Sequence, residues 1–280
     1  MSHTELICRS EYVAMRDGIR LAVSAWVGNE HEKITKKCSA VVVTTRYWRA
    51  MAFKQDAPEF QPYYPYAAYF WARGYVFVVA DARGSGASFG FRSSEVSPDE
   101  VADIGEIIDW VAEQDWCYGR VATTGTSYTA YTTLASLVTA APALKLGVCR
   151  ALDFDSYRHL LAPGGVTNIS FIEDWGTLTA AQDANDAKAM LADGLWPEPA
   201  GGAENLLGVR PVDEDEDSAL LASAIAEHKA NYNLVGDDMS FIDSCSVLAD
   251  SGLYCYQDSI EQSNIPVVIR CGWHDAGTQS

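Results

Sequence analysis

A chain of 280 residues that is 48% hydrophobic can bury one large core or two modest ones. Its 38 acidic against 20 basic residues leave a formal charge of −18, which opposes phosphate backbones and anionic lipid, so neither nucleic acid nor membrane is an expected partner. Seven scattered cysteines without a C-x-x-C pair suggest neither a disulfide framework nor a zinc site, and with no apolar leader or spanning run visible, a reduced, cytoplasmic protein is expected.

Glu11–Met15 and Leu21–Ala25 flank Arg16-Asp17-Gly18, whose Asp-Gly pair suits a tight turn, so an antiparallel hairpin is expected first. Valine-rich runs at Ala40–Thr44 and Tyr75–Ala80 read as strands of a sheet covered on both faces. Ala67–Arg73 reads as a helix closed by Gly74, and Glu100–Gln114 as a longer helix with Val101, Ile104, Ile107, Ile108 and Val111 at helical spacing. Arg120–Thr124 is a short strand, Gly125-Thr126-Ser127 a tight turn and Tyr128–Ala140 a helix. This alternation predicts an α/β architecture with a mostly parallel sheet.

After about residue 150 the texture changes to mixed aromatics with Gly164-Gly165, then prolines and glycines through Gly194–Gly208, which reads as an inserted lid rather than sheet. The run Asp213-Glu214-Asp215-Glu216-Asp217 lacks the glycine and spacing of a calcium loop and reads as solvated surface. Strand character returns at Ile265–Cys271, ahead of Gly272-Trp273-His274-Asp275. The expected division is a first part of the core over 1–150, a helical lid over 151–262 and a return to the core over 263–280.

A serine between strand and helix is the arrangement that activates a hydroxyl in a nucleophile elbow. The turn lifts Ser127 clear of the sheet, and the free N–H groups of the following helix, Tyr128 N–H first, can receive developing negative charge. Thr129 stands where the general Gly-x-Ser-x-Gly pattern has glycine, so the turn alone leaves an elbow and an ordinary strand-to-helix turn equally open.

Further segments follow in order: Met15-Arg-Asp-Gly-Ile-Arg-Leu-Ala22, Arg46-Tyr47 after a strand, Ala80-Asp-Ala-Arg-Gly-Ser-Gly-Ala-Ser-Phe-Gly90, Asp109-Trp-Val-Ala-Glu-Gln-Asp-Trp-Cys-Tyr-Gly119, Gly125-Thr-Ser-Tyr128, Pro163-Gly-Gly165 and Gly272-Trp-His-Asp275. Together they resemble the X-Pro dipeptidyl-peptidase and cocaine-esterase-like serine hydrolases, from about residue 11 to the end. In that family the serine is followed by Tyr-x-Gly, and Ala130 replaces the glycine here. The resemblance implies an α/β-hydrolase fold, Ser127 as nucleophile, Asp275 as the acid that orients a histidine, and Tyr47 as an oxyanion donor beside Tyr128 N–H. It also implies an aromatic wall at Trp175, with Tyr157 and His159 as further pocket residues, and no metal or organic cofactor. The substrate would be a small ester, an amide or a short X-Pro peptide cleaved through an acyl-enzyme.

The triad order of this fold is Ser, Asp, His, yet no histidine follows Asp275; the others are His3, His31, His159, His228 and His274. A chain without the base should be nearly inactive alone, since loss of the histidine costs on the order of 10⁶ in kcat in subtilisin. The family's last strand and C-terminal β-sandwich are also expected but missing, so a truncated product, a separate C-terminal chain or a homo-oligomer is anticipated. A non-catalytic binding or assembly protein is the alternative. A nicotinamide oxidoreductase is disfavoured, because after Gly84-Ser-Gly86 the sixth place is Phe89 and no helix begins at once.

Overall fold

The computed structural model describes residues 6–28, 37–237 and 252–272. Strands β1 (Leu6–Ala14) and β2 (Arg20–Gly28) form the expected antiparallel hairpin, longer than the alternating segments suggested because the pairing runs the whole way from Leu6↔Gly28 to Ala14↔Arg20. Among the described residues five mutually parallel strands follow: β3 (Cys38–Thr45), β5 (Tyr75–Asp81), β6 (Cys117–Thr126), β7 (Leu144–Arg150) and β9 (Val267–Arg270). The sheet order is β1-β2-β5-β3-β6-β7-β9, with β2 antiparallel to β5 and the rest parallel.

Alternation along the central strands explains burial on both sides. Val42, Val76, Val78 and Ala80 pack with α2 (Pro98–Glu113) and α3 (Tyr128–Ala135), while Val41, Val43, Phe77 and Val79 pack against α1 (Tyr64–Trp71). Helix α2 begins where the sequence places a cap: Ser97 Oγ accepts from Glu100 N–H at 3.3 Å, and Pro98 occupies the first turn. Strand β7 carries no sequence signal, since Lys145 and Gly147 interrupt its apolar residues; pairing on both sides, with β6 and β9, makes it a strand. Val267, Val268 and Ile269 of β9 are 37%, 53% and 54% exposed, and among the described residues β9 is the last strand on that side.

Between β7 and β9 the described residues are mostly helical, with α4 (Ile169–Asp183), α5 (Ala187–Leu191), α6 (Ala219–Glu227), α7 (Leu234–Asp237) and α8 (Gln257–Gln262). It also contains a strand, β8 (Leu206–Val209), which pairs antiparallel with β4 (Met51–Phe53) just after β3. The acidic run is not wholly solvated surface. Asp215 is buried and accepts from Leu220 and Leu221 N–H at 2.9 and 2.8 Å, capping α6, and Asp213 holds Ser10 of β1. Their neighbours hide the role: in a row of five acids nothing distinguishes the one that turns inward.

Candidate active site

From β3 the chain crosses to β5 on one side of the sheet and later to β6 on the other, so the loops leaving the carboxyl ends of β3 and β6 diverge and open a crevice. Tyr47 and Ser127 lie on those two loops. Ser127 has φ +57° and ψ −130°, a conformation that side chains rarely adopt, between β6 and α3. The turn closes because Gly125 lacks a side chain: a Cβ there would overlap the Thr129 backbone. Thr129 supplies what a glycine could not. Its hydroxyl accepts from Thr126 N–H at 2.7 Å and donates to Thr126 O at 2.9 Å, stitching the turn. Ser127 N–H donates to Arg150 O at 3.1 Å, leaving the side chain exposed above the sheet. As the first residue of α3, Tyr128 offers an N–H with no intrahelical acceptor.

Tyr47 is fixed from several sides. Its N–H donates to Thr45 Oγ1 at 2.9 Å, and two residues on, Arg49 N–H donates to the buried Asp81 carboxylate at 2.6 Å. Between them Trp48 takes φ +61°, is fully buried, and donates its indole N–H to Gln182 O at 3.1 Å. The Tyr47 hydroxyl accepts from Trp175 Nε1 at 3.0 Å and meets the Ser127 side chain. Burial pushes the phenol's pKa up, so it keeps its proton and remains a donor at neutral pH.

Beneath this lies a buried charge network. The Arg46 guanidinium pairs with Glu95, reaches Asp183 at the end of α4 at 3.4 Å, and stands 4.9 Å from the Trp175 ring centre. Asp183 also takes Arg92 Nη2 at 2.7 Å and Asn231 Nδ2 at 2.8 Å. Tyr128 donates its phenol O–H to Glu100, whose pKa burial pushes up to about 7. Val96, between Glu95 and the α2 cap, takes φ +51°, an outlier for a β-branched residue.

Two clefts meet at Ser127, and Tyr47 and Trp175 border both. One, of about 570 Å³, is walled by Tyr131, Leu160, Leu161, Phe171 and Leu234, with Glu95, Asp153 and Ser156 at its polar margin. The other, of about 1110 Å³, runs along the sheet past Thr124, Arg150, Tyr66 and Trp196. The structure thus brings Ser127, Tyr47, Tyr128 and Trp175 together. Tyr157 and His159 line neither cleft: that segment contributes Ser156, Leu160 and Leu161 instead, and His159 Nδ1 accepts from Asp155 N–H at 3.3 Å. His228 is buried between Asp183 O and Ser88 O, at 3.2 and 2.8 Å from its two ring nitrogens. Asp275 and His274 lie outside the described residues. Glu95, Glu100, Asp153, Phe171 and Asp183 have no role in the sequence reading. Only Ser97-Pro-Asp-Glu100, with the spacing of a capping box, offered a signal. Among the described residues no group of three or more His, Cys, Asp or Glu is placed to hold a metal, and no helix is long and apolar enough to cross a membrane.

Comparison with known proteins places this geometry. The family model described as X-Pro dipeptidyl-peptidase (S15 family) matches residues 17–279. A candidate serine esterase of Mycobacterium bovis is 34% identical over 247 residues, covering 84% of this chain and 38% of that protein. The cocaine esterase of Rhodococcus sp. (strain MB1 Bresler) is 28% identical over 196 residues, 63% of this chain and 30% of the relative. The chain therefore spans well under half the length of these relatives. A CocE/NonD family hydrolase from Staphylococcus aureus superposes with a TM-score of 0.52 at 25% identity, over 64% of this chain and 33% of that one. With the mostly parallel sheet and the helical segment between β7 and β9, these matches establish an α/β-hydrolase fold, and the chain belongs to the X-Pro dipeptidyl-peptidase (S15) family of hydrolases.

Proposed function

We propose that the protein is a serine esterase in which Ser127 attacks the ester carbonyl, the C–O bond to the alcohol breaks as the acyl-enzyme forms, and water then releases the acyl group as the carboxylic acid and frees Ser127. The observation that carries this reading is the convergence on one point of a serine at φ +57°, the Tyr47 hydroxyl and the first N–H of α3. A tetrahedral oxyanion formed on Ser127 would take one hydrogen bond from the phenol and one from Tyr128 N–H, the pair of donors that such an intermediate needs. Asp275 is assigned as the orienting acid on the family resemblance. None of the described histidines lines either cleft, so the base that takes the Ser127 proton is assigned to a residue outside the described part of the chain. The exposed strand β9 is likewise assigned to lie beneath further polypeptide.

The choice of esters over X-Pro peptides rests on the smaller cleft. Recognition of a peptide α-amino group needs an available carboxylate, and the charge of both candidates is engaged: Glu95 pairs through Oε1 with Arg46 while its Oε2 stands 3.9 Å from Arg92 Nε, and Asp153 accepts from Ser156 Oγ at 2.5 Å while burial pushes its pKa up. The remaining wall, with Tyr131, Phe171, Trp175 and three leucines, suits an apolar or aromatic acyl group. In this reading residues 151–262 act as a lid over the core formed by 1–150 and 263–280. The test uses protein expressed from its complete reading frame with p-nitrophenyl butyrate, p-nitrophenyl benzoate and Gly-Pro-p-nitroanilide. The proposal expects ester turnover and fluorophosphonate labelling, both lost in Ser127→Ala. Faster cleavage of the anilide than of either ester would overturn the substrate choice, and activity surviving in Ser127→Ala would overturn the nucleophile.

A further inference from the structure

Glu100 takes no part in the scheme above, yet it is fully buried on the first turn of α2, against the start of α3. Burying a carboxylate costs several kcal/mol unless it is paired or hydrogen-bonded, so its retention needs a reason. Helix capping does not supply one. In a capping box the glutamate reaches back to the N-cap N–H. Here Ser97 Oγ takes the Glu100 N–H, but the Glu100 carboxylate turns away and accepts the Tyr128 phenol instead. Its second oxygen has no hydrogen-bond partner among the described residues, so the Tyr128 bond is what the carboxylate is placed to make.

Tyr128 follows Ser127 directly, and its N–H and its side chain leave the same residue. Anchoring the phenol far from the backbone fixes the orientation of the first peptide of α3, and with it the direction of the N–H assigned to the oxyanion. The same ring meets Tyr47 edge to face, with centres 5.8 Å apart and planes at 68°, so it also braces the second donor. We propose that Glu100 is a positioning residue: through its bond to Tyr128 Oη it aims both oxyanion donors, Tyr128 N–H and Tyr47 O–H. This rests on the reading of Ser127 as nucleophile.

The test compares Glu100→Leu, Glu100→Gln, Tyr128→Phe and the double variant Glu100→Leu/Tyr128→Phe, in protein from the complete reading frame, with p-nitrophenyl butyrate as substrate. Misaimed donors cost catalysis rather than binding. Glu100→Leu and Tyr128→Phe should each lower kcat about 10- to 100-fold with KM changed less than about twofold. Glu100→Gln keeps an acceptor for the phenol and should keep most of kcat. The double variant should lose no more than either single one, because both remove the same bond. Tyr128→Phe keeps the ring and the packing, so it reads the bond even if Glu100→Leu fails to fold. Losses that multiply in the double variant, or that fall on KM, overturn the assignment. Activity abolished in Ser127→Ala but unchanged in Tyr128→Phe overturns Glu100 alone. Activity surviving in Ser127→Ala removes the nucleophile and this inference together.

Discussion

Trp175 of α4 donates its indole N–H to the Tyr47 hydroxyl at 3.0 Å, so a residue from the segment after β7 orients a phenol on the loop after β3. With one lone pair taken by the indole, the phenol proton is left to point toward Ser127. Loss of this single hydrogen bond is worth about 1 kcal/mol, so Trp175→Phe should lower ester kcat about fivefold while preserving the ring contacts. Tyr47→Phe removes the donor itself and should lower kcat by about 10²- to 10³-fold. Steady-state kinetics on one aryl ester ranks the two, and an equal effect would contradict the division of labour.

Backbone strain at Ser127 should be visible as stability. A non-glycine residue held at φ +57° costs on the order of 1–3 kcal/mol, part of which glycine recovers despite its greater freedom in the unfolded chain. Ser127→Gly should therefore be inactive yet more stable than the parent by about 1 kcal/mol. Thermal denaturation followed by circular dichroism measures it. A lowered melting temperature would mean that the turn is not strained.

Two residues earlier the sign reverses. A methyl group on Gly125 would overlap the Thr129 backbone, and β6 and α3 have no slack there, since Ala130 and Leu134 are already buried against the sheet. Gly125→Ala should destabilise the fold by about 3 kcal/mol or more, or yield insoluble protein. A urea midpoint unchanged from the parent would refute the close approach of helix and strand.

Glu100 makes stability depend on pH. Its pKa rises to about 7 in the fold from the usual 4.5, chiefly through burial. The folded state thus holds this proton over a range where the unfolded chain has released it. Its contribution is most favourable below about pH 4.5, falls as pH climbs, and is lowest above about 7. Glu100→Gln carries no charge to bury, so it should be more stable than the parent at pH 8 by on the order of 3 kcal/mol, with the gain shrinking toward pH 5. Urea titrations at the two values give the difference, and a gain that grows on acidification would reverse the assignment.

The strands at 38–45 and 75–81 were legible as uninterrupted apolar runs, the hairpin by its Asp17-Gly18 turn and helix α2 by the helical spacing of its apolar residues. The place of Ser127 at a strand-to-helix turn was legible from Gly125 and the helix after it, whereas its reading as a nucleophile came from the ordered segments that resemble the family. Strand β7 was not, since its residues become a strand only through neighbours far away in sequence. The site's charges were hidden for a similar reason. Arg46, Glu95, Arg92 and Asp183 are spread over some 140 residues of chain, and each looks like surface until the fold buries them against one another. Tyr157 and His159 could not be separated in sequence from their neighbours Ser156, Leu160 and Leu161, and it is those neighbours that line the cleft.

Asp183 closes α4 under three donors, from Arg46, Arg92 and Asn231, whereas the other end of the helix begins at Ile169, which is 51% exposed. That end is nonetheless held: the N-cap Asn168 donates its N–H to Leu161 O at 2.7 Å, and Ile172, one turn in, is fully buried beside Leu161 and Leu234. Phe171 stacks on Trp175, with ring centres 6.1 Å apart and planes at 11°. The apolar wall of the smaller cleft and the indole that orients Tyr47 are therefore one rigid surface, so that reshaping the first disturbs the second.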